Sequence, residues 1–368
     1  LPSDCETVDA NDLLANAPAP YAQLHPAAVA PTDPIYLVAT SGTTGRPKCI
    51  PVSQDAAYLS YVWRDAFTPY GPDMRVGIYV FAIWEMFRPL RKGARLWFPD
   101  ASTLFAPGKL ADFLIENKID EMLFTPSFYA TFLNALDTNK AAALPLSRVF
   151  LNGEVVSDDL IIASLAKLPD VALWNLYSIC ETHDVCMSHL TEPAGDAPAS
   201  VGVPMEHLRA VILDETDTPC PSGTSGQLHF EGARMLGPGY INRPEETRLR
   251  FRELIIEGRK TRAYDTGDQA WVDDTGALHI EGRVAHMLKL RGYSIQTKEL
   301  TETMRDSLAF SNAAPWVAEV GARGQSLVFY FAADTAQAKR NAEYWALVAE
   351  TNRRPAALAF DLIHVLTY

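Results

Sequence analysis

The chain has 368 residues, a formal net charge of -13, 48% hydrophobic residues and five cysteines. That length exceeds one small domain, and the acidic balance without any Lys/Arg-rich run excludes an extended nucleic-acid surface. An odd number of cysteines without metal-type spacing, no signal-like start, and no apolar run near the ~20 residues of a membrane span predict a cytoplasmic protein with no membrane partner.

Residues 1–34 are rich in Ala, Pro and Asp and read as a linker. An apolar strand at 35–39 runs into Thr40-Ser41-Gly42-Thr43-Thr44-Gly45-Arg46-Pro47-Lys48. The glycines let the backbone turn tightly and present its N–H groups, the hydroxyls donate to phosphate oxygens, and Lys48 adds charge, which makes a phosphate cradle. It is not a Walker loop, because no Gly-Lys-Ser/Thr closes a four-residue spacer. Short apolar runs at 94–98, 121–124, 148–151 and 172–176 alternate with mixed stretches at 53–66, 107–117 and 158–168, predicting the strands and helices of an α/β layer. From 202 to 280, short strands at 208–213, 226–230 and 277–280 are broken by Gly, Pro and Asp turns, predicting a β-rich subdomain. Beyond 283, a helix at 297–307, a strand at 326–331 and a helix at 336–351 predict a compact α+β tail.

The loop alone would serve many nucleotide enzymes. Further segments follow it: Asn175-Leu176-Tyr177-Ser178-Ile179-Cys180-Glu181-Thr182, then Gly226-Gln227-Leu228-His229-Phe230 with Gly237-Pro238-Gly239-Tyr240. Tyr264-Asp265-Thr266-Gly267-Asp268 comes next, and then Gly282-Arg283 through Lys289-Leu290-Arg291-Gly292-Tyr293. In this order they resemble the adenylate-forming enzymes, the superfamily of acyl-CoA synthetases, luciferases and adenylation domains of nonribosomal peptide synthetases. The resemblance implies an α/β fold: an adenylate-forming core without its N-terminal part, comprising a core subdomain at 35–200 and a β-rich subdomain at 201–283. A C-terminal α+β subdomain at 284–368 lacks the usual terminal Gly-Lys segment, whose lysine serves adenylation. Only 39 residues precede the loop where the family has a substantial region, so a piece of a larger multidomain protein is expected.

The implied reaction is attack of a carboxylate on the α-phosphorus of ATP, which needs positioning and charge neutralisation rather than a protein nucleophile. By resemblance Thr40, Ser41, Gly42, Thr43, Thr44, Gly45 and Lys48 handle the β- and γ-phosphates, and Thr43, Lys48 and Glu181 form the catalytic set. Glu181 also holds Mg²⁺, a hard cation suited to carboxylate and phosphate oxygens. Tyr177 offers a face to adenine beside Asn152-Gly153-Glu154, Asn175 lies in the same segment as Tyr177, and Asp268 and Arg283 reach the ribose. Taken singly, Glu181 would be a solvated carboxylate, Asp268 a turn former and Arg283 a surface arginine; the shared order favours function for each. Cys180 stands where a threonine contacting the α-phosphate is usual, and a thiol is the weaker donor, so slower catalysis or compensation by Ser178 or Thr182 is expected. Cys49 replaces the glycine after the lysine, and Ala285 stands at the hinge position that usually carries Asp.

Tyr79-Val80-Phe81-Ala82-Ile83-Trp84-Glu85 resembles the segment in which amino-acid-activating domains place an aspartate second, to hold the substrate ammonium. Val80 stands there, and an ammonium against an apolar side chain with no counter-charge costs on the order of several kcal/mol, so a free α-amino acid is expected to be a poor substrate. Val80, Phe81, Trp84, Phe124, Phe150, Asn152, Leu176, Asp184 and Val185 resemble pocket-lining positions and make a mostly apolar cavity. The plainer reading makes Val80, Phe81 and Trp84 core residues of an amphipathic helix. An aliphatic or aromatic α-keto acid fits the pocket pattern, as in keto-acid-selecting adenylation domains of depsipeptide synthetases, in which a ketoreductase is commonly inserted within the C-terminal subdomain. The activated acid is expected to pass to the phosphopantetheine thiol of a carrier protein, with further synthetase domains in the same polypeptide. The alternatives are a free-standing acyl-CoA ligase and a degenerate noncatalytic scaffold.

Overall fold

The first strand, β1 (Pro34–Thr40), folds back on β2 (Lys48–Ser53) as an antiparallel hairpin in which Thr40 pairs with Lys48. The two ends of the glycine-rich loop are therefore held side by side. In this computed structural model the described residues are 28–40, 48–79, 83–195 and 198–283, with five further strands beyond them. Helix α1 (Gln54–Phe67) starts directly after β2, because the Ser53 hydroxyl accepts from Ala56 N at 3.1 Å and Asp55 sits in the first turn.

A parallel layer follows. It contains β3 (Arg75–Gly77), a 3₁₀ turn (Ile83–Met86) running into α2 (Phe87–Leu90), β4 (Arg95–Trp97), α3 (Ala101–Leu104) and α4 (Pro107–Glu116). After these come β5 (Glu121–Phe124), α5 (Pro126–Ala135), α6 (Thr138–Ala143), β6 (Arg148–Asn152), α7 (Asp158–Lys167), β7 (Ala172–Ile179) and β8 (His183–Leu190). The six strands lie in the order β4-β3-β5-β6-β7-β8, parallel except for β8, which runs antiparallel to β7. Every residue of β5 and β6 is buried, as expected for central parallel strands covered on both faces.

Side-chain alternation divides the core into two. Met122, Phe124, Val149, Leu151 and Leu173 pack under the helices with Leu110, Phe132 and Ile161. Their neighbours Leu123, Phe150, Trp174 and Leu176 form a separate cluster on the opposite face with Trp63 of α1. Each fully buried large apolar side chain stabilises by about 1.5–3 kcal/mol, so both faces are anchored.

The second sheet is antiparallel. It contains β9 (Arg209–Leu213), β10 (Gly226–Glu231), β11 (Phe251–Ile256), β12 (Arg259–Val272) and β13 (Leu278–Arg283), ordered β11-β12-β10-β9 with β13 also on β12, and α8 (Pro244–Arg250) precedes β11. Ile50 and Tyr61 share one core with Val185, Phe230, Tyr240 and Tyr264, which ties the hairpin, α1 and β8 to this sheet.

Beyond it, β14 (Met287–Leu290) pairs with β15 (Tyr293–Gln296). β16 (Asn312–Glu319) pairs antiparallel with β17 (Gln325–Ala332), which pairs in parallel with β18 (Leu362–Leu366). The helices expected at 297–307 and 336–351 lie outside the described residues. Among the described residues no helix is long and apolar enough to cross a membrane.

Candidate functional site

Parallel strands bring their carboxyl ends to one edge, and there the turn after β6 and the strand β7 face β12 and β13 across a cavity of about 300 Å³. Its lining includes Gly153, Glu154, Asn175, Leu176, Tyr177 and Asp268. The Asn152 side-chain amide donates to Leu176 O at 2.7 Å and Ser178 Oγ at 3.0 Å, knitting β6 to β7 just before the chain turns at Gly153, whose φ of 97° suits glycine. Glu154 accepts from Ser127 N at 2.9 Å and Ser127 Oγ at 3.0 Å, so its carboxylate also fastens the start of α5. Asn175 donates to Ser200 O at 3.1 Å.

Tyr177 and Asp268 meet across the cavity. The phenol of Tyr177 donates to Asp268 Oδ2 at 2.6 Å. Asp268 is aimed by its own backbone: its N–H donates to Thr266 Oγ1 at 2.9 Å, and Thr266 Oγ1 donates to Leu228 O at 2.8 Å. Gly267 between them has a φ of 74°, the left-handed region in which a turn of this kind needs glycine. Arg283 pairs with Asp268 across the β12–β13 ladder, and its side chain lies outside the described residues.

Glu181 follows β7 and is buried. Tyr240 OH donates to Glu181 Oε1 at 2.5 Å, Tyr264 OH lies 3.4 Å from Tyr240 OH, and Gly237 N donates to Glu181 O at 2.8 Å. Lys48 Nζ sits 5.2 Å from the centre of the Tyr240 ring, within cation–π range. Burial pulls the Lys48 ammonium down, helped by Arg250 and opposed by Glu246 and Glu181. Burial and the Glu181 carboxylate push the Tyr240 phenol well up, so it stays protonated and donates. Among the described residues no group of three or more His, Cys, Asp or Glu could hold a metal ion. The buried Glu181 carboxylate is an oxygen donor of the kind that suits a hard cation such as Mg²⁺.

Of the loop residues, Ser41, Gly42, Thr43, Thr44 and Gly45 lie outside the described residues, and Thr40 and Lys48 are its paired ends. Val80, Phe81 and Ala285 lie outside them too. Trp84, Phe150 and Leu176 come together with Leu123, Met187, Trp63 and Trp174 in one cluster. Phe124 does not join them. It sits on the helix-covered face with ring centroids 6.1, 5.2 and 5.3 Å from Phe128, Tyr129 and Phe132. Val185 packs with Ile50 and Phe230 in the core shared by the hairpin and the second sheet. Asp184 is completely buried, 2.5 Å from Arg88 Nη2 and 3.4 Å from Arg64 Nη1. Those guanidinium groups, with His183, hold its carboxyl far below the usual carboxylate range against the opposing effect of burial. Cys180 is half-buried and forms no disulfide.

Sequence reasoning overlooked Arg64, Arg88 and Tyr240. The signal for Arg64 was its place on the buried stripe of α1 with Ala57, Ser60 and Tyr61, where an arginine needs a partner. Tyr240 closes the segment Gly237-Pro238-Gly239-Tyr240, and nothing local in that segment signals its distant partner Glu181.

The sequence pattern of the AMP-binding enzymes matches residues 2–241. The chain is similar to glycine betaine reductase ATRR of Emericella nidulans, 37% identical over 298 residues that make 80% of this chain and 23% of that protein. It is also similar to phosphinothricin tripeptide synthetase PhsB of Streptomyces viridochromogenes, 30% identical over 311 residues, 82% of this chain and 26% of that protein. The chain thus spans about a quarter of the length of these relatives. In fold it is similar to PA1221, an NRPS protein containing adenylation and PCP domains, with a TM-score of 0.72 and 24% identity, covering 95% of this chain and 70% of that one.

Proposed function

Because the chain belongs to the AMP-binding enzyme family, we propose that it joins a carboxylic acid to ATP as an acyl-adenylate and hands the acyl group to the phosphopantetheine thiol of a carrier protein. The observation that carries this reading is the Tyr177–Asp268 bridge over the cavity: an aromatic face and a carboxylate, on two different sheets, set where an adenosine needs stacking and a ribose acceptor. The similarity to a synthetase and to an adenylation–PCP protein supports a carrier-protein partner and further domains in the same polypeptide.

In the first step a carboxylate oxygen attacks the α-phosphorus, and the bond to the bridging oxygen breaks with its electron pair on pyrophosphate. Lys48 and the hydroxyls of Thr40, Ser41, Thr43 and Thr44 offset the charge on the departing oxygens, and Asp268 and Arg283 hold the ribose. Glu181, steadied by Tyr240, is the carboxylate that would hold Mg²⁺, which when bound would supply charge neutralisation on the phosphates. In the second step the thiol sulfur attacks the acyl carbon and AMP departs. We place the reaction in the cytoplasm, where thiols stay reduced.

The acid lacks an α-ammonium with N–H donors. Val80 offers no counter-charge, and the carboxylate of Asp184 is engaged by two arginines. An α-keto acid meets this condition. A second reading is an acid with a quaternary α-nitrogen, favoured by the gathering of Trp63, Trp84, Phe150 and Trp174 in one cluster, because a methylated cation without donors binds aromatic faces. A relative named as a glycine betaine reductase supports it.

Exchange of labelled pyrophosphate into ATP, run with keto, quaternary-ammonium, aryl and amino acids, tests the reading. A keto or quaternary acid is expected to outperform its primary-amine counterpart by about tenfold or more in kcat/KM. Leucine outperforming its keto analogue would sink the substrate assignment, and acyl-CoA formation without a carrier would favour a free-standing ligase.

A further inference from the structure

Next to the aromatic cluster lies a buried set of charges, of which the reading above uses only the engagement of Asp184 by two arginines. Arg64, Arg88 and Asp184 are 0% exposed and Glu85 5%. They come from α1, from the 3₁₀ turn and the helix α2 that follows it, and from β8. Arg88 lies 2.7 Å from Glu85 and 2.5 Å from Asp184; Arg64 lies 3.0 Å from Glu85 and 3.4 Å from Asp184. Two cations and two anions balance. His183 Nδ1 accepts the Asp184 N–H at 2.8 Å and lies 3.0 Å from Ser60 Oγ.

This set touches the cluster directly. The Arg64 guanidinium carbon lies 4.0 Å from the centre of the Phe150 ring, and Glu85 follows Trp84 in the chain. Arg64 Nε and Nη2, Arg88 Nε and Asp184 Oδ1 have no hydrogen-bond partner among the described residues, so donors and an acceptor remain for a group that enters.

We propose that these four residues are the charge selector of the acyl pocket. Arg64 and Arg88 keep Asp184 from pairing with a primary ammonium, and Asp184 and Glu85 keep the arginines from pairing with a second carboxylate. The inference rests on the aromatic cluster being the acyl pocket, as in the function proposed above. Away from water a single uncompensated charge acts strongly, so breaking the balance on one side changes preference with a definite sign.

Pyrophosphate exchange by the wild-type protein, Asp184→Asn, Arg88→Met and the double variant, with 4-methyl-2-oxopentanoate, leucine and 2-oxoglutarate, tests it. Asp184→Asn is expected to raise the kcat/KM ratio of the dicarboxylic to the monocarboxylic keto acid by about tenfold, and Arg88→Met to raise that of leucine to its keto analogue by a similar factor. The double variant restores neutrality and should bring both ratios to within about threefold of wild type. A purely structural role lowers all three acids in parallel; unchanged ratios in folded variants would overturn the proposal. Asn is nearly isosteric with Asp and accepts from both guanidinium groups, so Asp184→Asn decides the question where the loss of Arg88 prevents folding. Absence of exchange by the wild type with every acid in the wider panel would instead overturn the proposed function, and this inference with it.

Discussion

Tyr240 touches two buried residues that the proposed function assigns to phosphate and Mg²⁺: its hydroxyl holds Glu181 and its ring lies under Lys48. Tyr240→Phe keeps the ring and removes the donor, leaving Glu181 free to rotate. The Mg²⁺ concentration for half-maximal pyrophosphate exchange is expected to rise about tenfold while the KM for the acid stays constant, since partners of a metal-holding carboxylate act on metal affinity. A titration of Mg²⁺ at fixed ATP checks it, and a rise in the acid KM alone would show that Tyr240 serves the acyl pocket. His229 makes a different prediction. It is fully buried, its Nδ1 lies 3.2 Å from Gln227 O, and burial lowers its pKa from the ordinary 6.5 despite the nearby Asp265 carboxylate. The unfolded chain therefore takes up a proton first, so the neutral ring's contribution is complete above about pH 6.5 and is lost as pH falls below it, by at most about 1.4 kcal/mol per pH unit. Urea midpoints at pH 7.5 and 5.5 should differ less in His229→Leu than in the wild type; an equal difference would show that other groups set the slope.

At the scale of elements, the β1–β2 hairpin is what gives the glycine-rich loop its anchored ends, and its packing is tight. A Cβ on Gly237 would lie 2.6 Å from Ile50 Cδ1, 2.9 Å from Ile50 Cγ1 and 3.4 Å from Glu181 O. Gly237→Ala is expected to cost about 1–3 kcal/mol, and Ile50→Val, which deletes Cδ1, about 1 kcal/mol alone. Together they should cost less than the sum, because the deleted atom is the nearest obstacle; an additive pair in urea unfolding would place the strain elsewhere. The helices α1, α4 and α7 were legible in sequence as the mixed stretches at 53–66, 107–117 and 158–168, and the structure shows Ser53 and Ser157 as N-caps and Pro107 in the first turn. β8 was not, because its first five residues are all buried, and a polar start such as His183-Asp184 carries no alternation. β7 runs three residues past the expected strand, to Ile179, because pairing with β8 satisfies its backbone there.

Across the whole molecule, the Tyr177–Asp268 bond spans 91 residues of sequence and ties the end of the parallel sheet to the antiparallel one. Tyr177→Phe and Asp268→Asn should each weaken ATP binding, and a double-mutant cycle should give a coupling of about 0.5–3 kcal/mol. Thermal stabilisation by ATP, which follows the binding free energy, reads the cycle directly. A coupling near zero would mean that nucleotide contacts the two sheets independently. The sequence by itself determined the family and the residue types in order along the chain, because short-range spacing is a local property. Only the tertiary structure decided which residues share a face and which charges meet. Phe124 and Phe150 are both apolar strand residues, and it is the pleat that sends one under the helices and the other against Arg64. Asp184 resembles a pocket-lining position in sequence, but folding brings Arg64 and Arg88 to it from 120 and 96 residues away, and in a dry interior those partners engage its carboxylate.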